Sequence, residues 1–236
     1  MLNRPNALTN ESLDARRAVG AQLRERLREL PPTPFDWAAF DPVQALSNNG
    51  VSPDLRLATM TRLLCTAPAR SAELRALWNE SVVTGAYALR IAPHLGGDGH
   101  MSGIAGLLHR LGDILTIRAI AHIEHASRVR LDAASKADLC AEHGGEQLER
   151  VVRAWNVPSR AAATAAEWRR LGEFPAAAAD ATAVYLARLF AIEHASPQFC
   201  APGAIEHAVE ELGLDTNILS TLRSDATIAA LLTSLQ

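Results

Sequence analysis

Apolar residues recur at helical spacing along most of the chain, and no convincing alternation or hairpin turn interrupts them. The densest patterning lies between Leu77 and Arg118. From Leu74 to Ile91 two apolar stripes run side by side, Leu74, Trp78, Val82 and Leu89 on one and Leu77, Tyr87 and Ile91 on the other. A helix apolar on more than one side is expected to be central and buried. Glu80 falls beside the second stripe, which puts a carboxylate in the interior and demands a partner for it there. After a Gly/His/Asp-rich break at 96–100, a second apolar helix carries Gly103, Gly106, Leu107, Leu108, His109, Arg110, Leu111 and Gly112. Its small residues permit close helix approach, and Gly112 suits a left-handed residue closing the helix.

The flanks extend the same pattern. An arginine-rich amphipathic helix is predicted from Asn10 to Leu30, capped by Thr9 or Asn10. Leu13, Val19, Leu23, Leu27 and Leu30 form its apolar stripe, and prolines 31, 32 and 34 end it. A short helix around Trp37–Leu46, a turn at Asn48-Asn49-Gly50 and a helix opened by Ser52-Pro53-Asp54 follow. Asp113 is expected to cap a helix through Ile114, Ile117, Ile120 and Ile123. Another spans roughly Ala133–Ala154, interrupted or kinked near Gly144-Gly145. Further helices are expected from Pro158 to Arg170, from Ala176 to Ala195 and from Pro202 to Leu212. Asp215 and Ser224 are candidate caps for two more. The fold class is therefore all-α.

Composition narrows the function classes. A net charge of −3 gives no global pull toward nucleic acid or anionic membrane. The basic concentration at 16–28 is partly balanced by Glu25 and Glu29, so nucleic-acid binding is disfavoured. Cys65, Cys140 and Cys200 are odd in number, widely spaced and without C-x-x-C spacing, which reads as buried or free thiols in a reducing cytosol. No apolar run reaches membrane-spanning length, and Met1–Asn10 lacks a signal peptide's apolar core, so a cytoplasmic protein is expected.

Four short stretches carry a resemblance. Trp78-Asn79-Glu80-Ser81 resembles a W-x-H-S motif, and Ala105 to Gly112 (AGLLHRLG) resembles A-G-L-L-H-D-x-G about thirty positions later. Trp155-Asn156-Val157-Pro158 is similar to W-x-L-P, and Val184 to Arg188 to a late L-A-D helix. In this order and spacing they resemble the HDOD family, a bacterial regulatory offshoot of the HD phosphohydrolases. The resemblance implies a multi-helix HD/HDOD-like bundle. It suggests three parts: an N-terminal helix and proline-rich linker at 1–34, an HDOD-like domain at 35–200, and C-terminal helices at 201–236 packing on it. The family's asparagine-serine signature in the N-terminal half has no clear counterpart here.

Hydrolytic HD proteins hold divalent metal with histidines and aspartates on separate helices. Position by position, this sequence has Glu80 for the first histidine, keeps His109 for the second, and has Arg110 and Arg188 where the two aspartates would stand. Guanidinium groups stay protonated and repel cations, so no metal, no cofactor and no catalytic residue is assigned. Glu80, His109, Arg110 and Arg188 remain as candidates lining a vestigial ligand pocket. The two arginines either form internal ion pairs, face solvent, or offer a fork to a phosphate or carboxylate. His122 and His125, with Glu124 between, share a helical spacing but lack a third ligand. His143, His194 and His207 have no evident partners. The loop at Gly96-Gly97-Asp98-Gly99, flanked by His94 and His100, lacks the lysine and strand-helix setting of a phosphate loop.

What the resemblance implies is a non-enzymatic signal-transduction module working through protein contacts. Such modules often accompany receiver, cyclase or phosphodiesterase domains, and none is recognisable here, so the partner is expected in trans. The arginine-rich N-terminal helix and residues 202–236 are the candidate contact surfaces. A degenerate metal-dependent phosphohydrolase and a small-anion sensor are the alternatives, and a homo-oligomer is left open.

Overall fold

The structure is a computed structural model that describes residues 10–46, 55–167, 178–195 and 200–235. Helices α1 (Asn10–Arg26), α2 (Pro42–Leu46), α3 (Leu55–Leu64), α4 (Ser71–Ile91), α5 (Gly99–Leu108) and α6 (Leu111–Ser127) form the first half. Helices α7 (Ala133–Ala154), α8 (Ser159–Glu167), α9 (Ala179–Ala195), α10 (Ala204–Glu211), α11 (Asn217–Arg223) and α12 (Ala226–Ser234) form the second. Short 3-10 turns occupy Trp37–Ala39 and Ala92–Leu95, and no strand occurs among the described residues. The described residues form an all-α bundle.

Helix α4 is the axis of the bundle, as its double stripe requires. Leu74, Trp78, Val82, Tyr87 and Ile91 are buried, and its main neighbours are α5 on one side and α9 on the other. The α4–α5 approach depends on missing side chains. A Cβ on Gly106 would lie 2.7 Å from Gly85 Cα, and one on Gly85 would lie 2.9 Å from Gly103 O. On α9, Phe190 stacks on Tyr87 with ring centroids 4.8 Å apart.

A second backbone contact joins α6 to α7, and it overturns two expectations. Gly112 does not end a helix: α5 stops at Leu108, and Gly112 lies in the first turn of α6. There it faces Gly144 of α7 so closely that a Cβ would overlap the Gly144 carbonyl. Gly144 therefore marks the crossing point of an unbroken α7, with no interruption at Gly144-Gly145. Asp113, expected as a cap, also sits inside α6 and is buried.

Helix α1 ends at Arg26, four residues before the periodicity does, yet Leu27 continues its buried stripe. Val19, Leu23 and Leu27 pack on Ala119, Ile120, Ile123, Leu131 and Leu139 as a small separate core. Arg16 meets Asp138 at 2.8 Å, and Arg150 donates to the carbonyls of Leu27 and Arg28 after the helix ends. The stretch expected as one short helix at 37–46 is a 3-10 turn followed by α2, because Asp36 and Asp41 each cap their own segment. Helix α8 begins at Ser159, the alanine-rich α9 begins at Ala179, and α10 at Ala204. Asp225, rather than Ser224, caps α12, accepting from the amides of Thr227 and Ile228. Asp215 accepts from the Asn217 amide at the start of α11. The Thr9 cap, the Leu13 side chain, the Asn48-Asn49-Gly50 turn, the Ser52-Pro53-Asp54 start and residues 168–177 lie outside the described residues.

The C-terminal helices pack on the same bundle. Asn79 of α4 donates to the Leu235 carbonyl at 3.1 Å, and Arg90 pairs with Asp225. No described helix is long and apolar enough to cross a membrane.

Candidate functional site

The four residues singled out by sequence come together. Glu80 lies midway along α4, His109 in the turn between α5 and α6, Arg110 at the start of α6, and Arg188 on α9. The glycine contacts that draw α5 against α4 also bring the His109 turn over Glu80. Arg188 Nε donates to Glu80 Oε1 at 3.1 Å, and His109 Nε2 faces the same oxygen at 3.8 Å. Arg110 Nε lies 3.3 Å from Asp113 Oδ2, one helical turn further on. The interior carboxylate thus has its partners, and both arginines form ion pairs.

Electrostatics follow from this geometry. Burial by itself would raise the Glu80 carboxyl, but the approach of His109 and the charges of Arg110 and Arg188 more than offset it. The group is held down at about 2 and is ionised at neutral pH. His109 is wholly buried, and loss of water pushes its pKa below the usual value despite the nearby carboxylate. Its Nδ1 lies 2.6 Å from the Gly106 carbonyl, which fixes the ring.

Beside this cluster opens a cleft of about 700 Å³ between α4, α6, α7 and α9. Arg110, Asp113 and Arg188 face it, joined by Glu73, Lys136 and Tyr185. Lys136 Nζ is 3.0 Å from Glu73 Oε1. Sequence reasoning missed these three additions. Glu73 lies seven residues before Glu80, hence on nearly the same face of α4, and Tyr185 lies three before Arg188 on α9. Lys136 is the chain's single lysine, a signal visible in the sequence but without a place until α7 packs.

The fit to a metal ion is poor. Arg110 and Arg188 have no lone pair to give, Glu80 is engaged by Arg188, and His109 Nδ1 is held at the Gly106 carbonyl. No three His, Cys, Asp or Glu side chains gather as a possible metal site among the described residues. Glu124, between His122 and His125, is turned instead to Arg70 at 2.9 Å and to the Leu131 amide at 2.8 Å. His143 and His207, read as lacking partners, lie 3.5 Å from Glu142 and Glu211 respectively. No disulfide forms among Cys65, Cys140 and Cys200, and burial pushes Cys65 up to about 11, so it is an inert packing group.

The Gly-rich loop is a structural joint. Asp98 caps α5 through the Met101 amide, while Asp180 of α9 accepts from the Asp98 amide at 2.7 Å, from Ser102 at 3.1 Å and from Arg160 at 2.6 Å. Removing the charge with Asp180→Asn is expected to lower stability by about 1–3 kcal/mol, since Arg160 and two further donors lose a charged acceptor. Urea denaturation checks this, and an unchanged midpoint would contradict the joint.

Comparisons bear on this arrangement. Two crystal structures from Shewanella amazonensis SB2B share the fold. One, named as a "putative metal-dependent phosphohydrolase", superposes with a TM-score of 0.55 at 13% identity, over 99% of this chain and 93% of its own. The other, named as a "putative phosphohydrolase", gives 0.53 at 13% identity over 98% and 95%. No curated protein sequence matches the chain. The model of the HDOD domain matches residues 44–170, more than half of the length and the whole of the segment carrying Glu80, His109 and Arg110. The chain belongs to the HDOD domain family.

Proposed function

We propose that this chain is a non-catalytic HDOD regulatory module that acts in bacterial signal transduction through contacts with a partner protein supplied in trans. The observation that carries the reading is the Arg188–Glu80–His109 cluster beside Arg110–Asp113. Fixed cations and an engaged carboxylate stand where a hydrolase needs free anionic and imidazole ligands. The helical frame around them is intact, so what the fold retains is a shape and a surface. Arg17 in the middle of α1, Arg24 in its last turn and Arg28 after it are exposed, and supply charge for an acidic partner surface.

The test is a metal titration joined to a phosphoester screen. Calorimetry with Mn²⁺ and Mg²⁺ is expected to show no saturable site, and phosphomonoester, phosphodiester and nucleotide substrates no turnover above background. Stoichiometric metal binding that disappears in His109→Ala, together with turnover, would establish a degenerate phosphohydrolase instead.

A second reading rests on the cleft, whose volume falls in the range of small-molecule pockets. In it, a phosphate- or carboxylate-bearing ligand exchanges one of the cleft's ion pairs for a contact with Arg110 or Arg188. Stabilisation by such a ligand that is lost in Arg110→Ala would favour this sensor. No ligand-dependent shift across a metabolite panel would remove it.

A further inference from the structure

Several half-buried arginines among the described residues are paired with carboxylates, Arg70 with Glu124, Arg90 with Asp225, Arg110 with Asp113 and Arg188 with Glu80, and half-buried Arg150 is held by the Leu27 and Arg28 carbonyls and by Gln147. Arg118 departs from that pattern. It sits on α6 facing the end of α1, its Nε is buried, and that atom has no hydrogen-bond partner among the described residues. The charged groups beside it are also basic. Burial and the Arg26 charge hold Arg118 below its usual pKa, and His122, one turn along α6, is lowered by burial, Arg26, Arg118 and His125.

These side chains surround a cavity of about 190 Å³, lined also by Glu29, Pro31 and Gln147. Glu29 is the carboxylate at this cavity, and it is mostly exposed and 3.8 Å from Arg26, so it neutralises one charge at the rim. The Gln147 oxygen already accepts from Arg150 at 3.3 Å. Arg118 is left as an uncompensated, partly desolvated cation, an arrangement that folding disfavours unless an anion completes it.

We propose that Arg118, Arg26 and His122 form a binding site for one small oxyanion of phosphate size, separate from the cleft at Arg110 and Arg188. The volume matches about six water molecules at roughly 30 Å³ each, enough for a tetrahedral anion with a few waters. It is too small for a nucleotide or another drug-sized ligand. The two guanidinium groups supply forked donors, and the His122 ring supplies a further one. Arg26 closes α1 whereas Arg118 and His122 belong to α6, so the bound anion clamps the N-terminal helix to the bundle. Among the described residues, Val19, Leu23 and Leu27, with Ala15 against them, are what α1 contributes to the small core beneath it, and an added ionic clamp would set how firmly the helix docks.

Thermal unfolding of the whole chain, titrated with inorganic phosphate at ionic strength held constant with chloride, tests this. Phosphate on the order of 10 mM is expected to raise the wild-type Tm by about 2–4 °C over the chloride control. Arg118→Gln and Arg26→Gln should each abolish the rise, and Arg110→Ala should keep it. Arg26 is exposed, so Arg26→Gln decides the matter even if Arg118→Gln fails to fold. No phosphate-specific rise in wild type would overturn the proposal. So would a rise that survives both substitutions, or one lost in Arg110→Ala, which would place the anion in the cleft.

Discussion

Replacing Gly112 with alanine is expected to destabilise the protein by about 3–5 kcal/mol or to prevent folding, the largest effect of any single methyl group in the described structure. The new Cβ would overlap the Gly144 carbonyl, which is backbone in the middle of a 22-residue helix and has no side-chain torsion through which to yield. Relief requires α6 and α7 to separate, and these two helices carry Asp113, Lys136 and Cys140 around the cleft and Ile120 and Leu139 under α1. The damage therefore reaches both cores. Gly145 is the control, because a Cβ there meets nothing within 4 Å. Gly145→Ala should stabilise by about 0.5–1 kcal/mol through helix propensity alone. Chemical denaturation of the two variants checks both signs. Equal and small effects at the two positions would show that the α6–α7 crossing is looser than described.

Glu80→Gln is expected to cost on the order of 3–5 kcal/mol at pH 7, since the half-buried Arg188 keeps its charge and loses the Glu80 carboxylate. The pH dependence identifies the cause. The folded carboxyl is held at about 2 against an ordinary value of 4.5. It therefore contributes stability that is fully present above pH 4.5 and is lost as pH falls toward 2, amounting to about 3 kcal/mol. His109 acts in the same direction at higher pH. Its folded pKa is lowered by burial, so the unfolded chain takes up that proton more readily, and stability begins to fall below about pH 6.5. Wild type should lose stability in both ranges, whereas Glu80→Gln should lack the step between 4.5 and 2. Urea midpoints measured from pH 7 to pH 2.5 should thus converge for the two proteins. Parallel curves would mean that Glu80 is not held ionised by its neighbours.

Much of the bundle was legible from local rules. The double stripe between Leu74 and Ile91 identified the central helix because burial on two sides leaves no polar face. The bounds of α7 were readable because Asp132 caps one end and Trp155-Asn156 turns the other. Gly112 was misread for a physical reason. A glycine near the end of an apolar run serves equally well as a left-handed terminator or as a place where backbones touch, and sequence does not distinguish the two. The same ambiguity turned Gly144 into an expected kink. At the site, Glu80, His109, Arg110 and Arg188 were visible through their motif positions, but their pairing was not. Whether Arg110 would meet Glu80 or Asp113 depended on how α6 starts, and that start depends on the Gly112–Gly144 crossing.

The sequence by itself determined that this chain is helical and which helix is central, because those properties follow from the spacing of apolar side chains. Tertiary structure alone decided which charges neutralise one another. Ion pairing depends on short distances between groups far apart in the chain, such as Glu80 and Arg188, 108 residues apart and 3.1 Å from each other. It is also what separates the paired Arg188 from Arg118, whose Nε has no hydrogen-bond partner among the described residues.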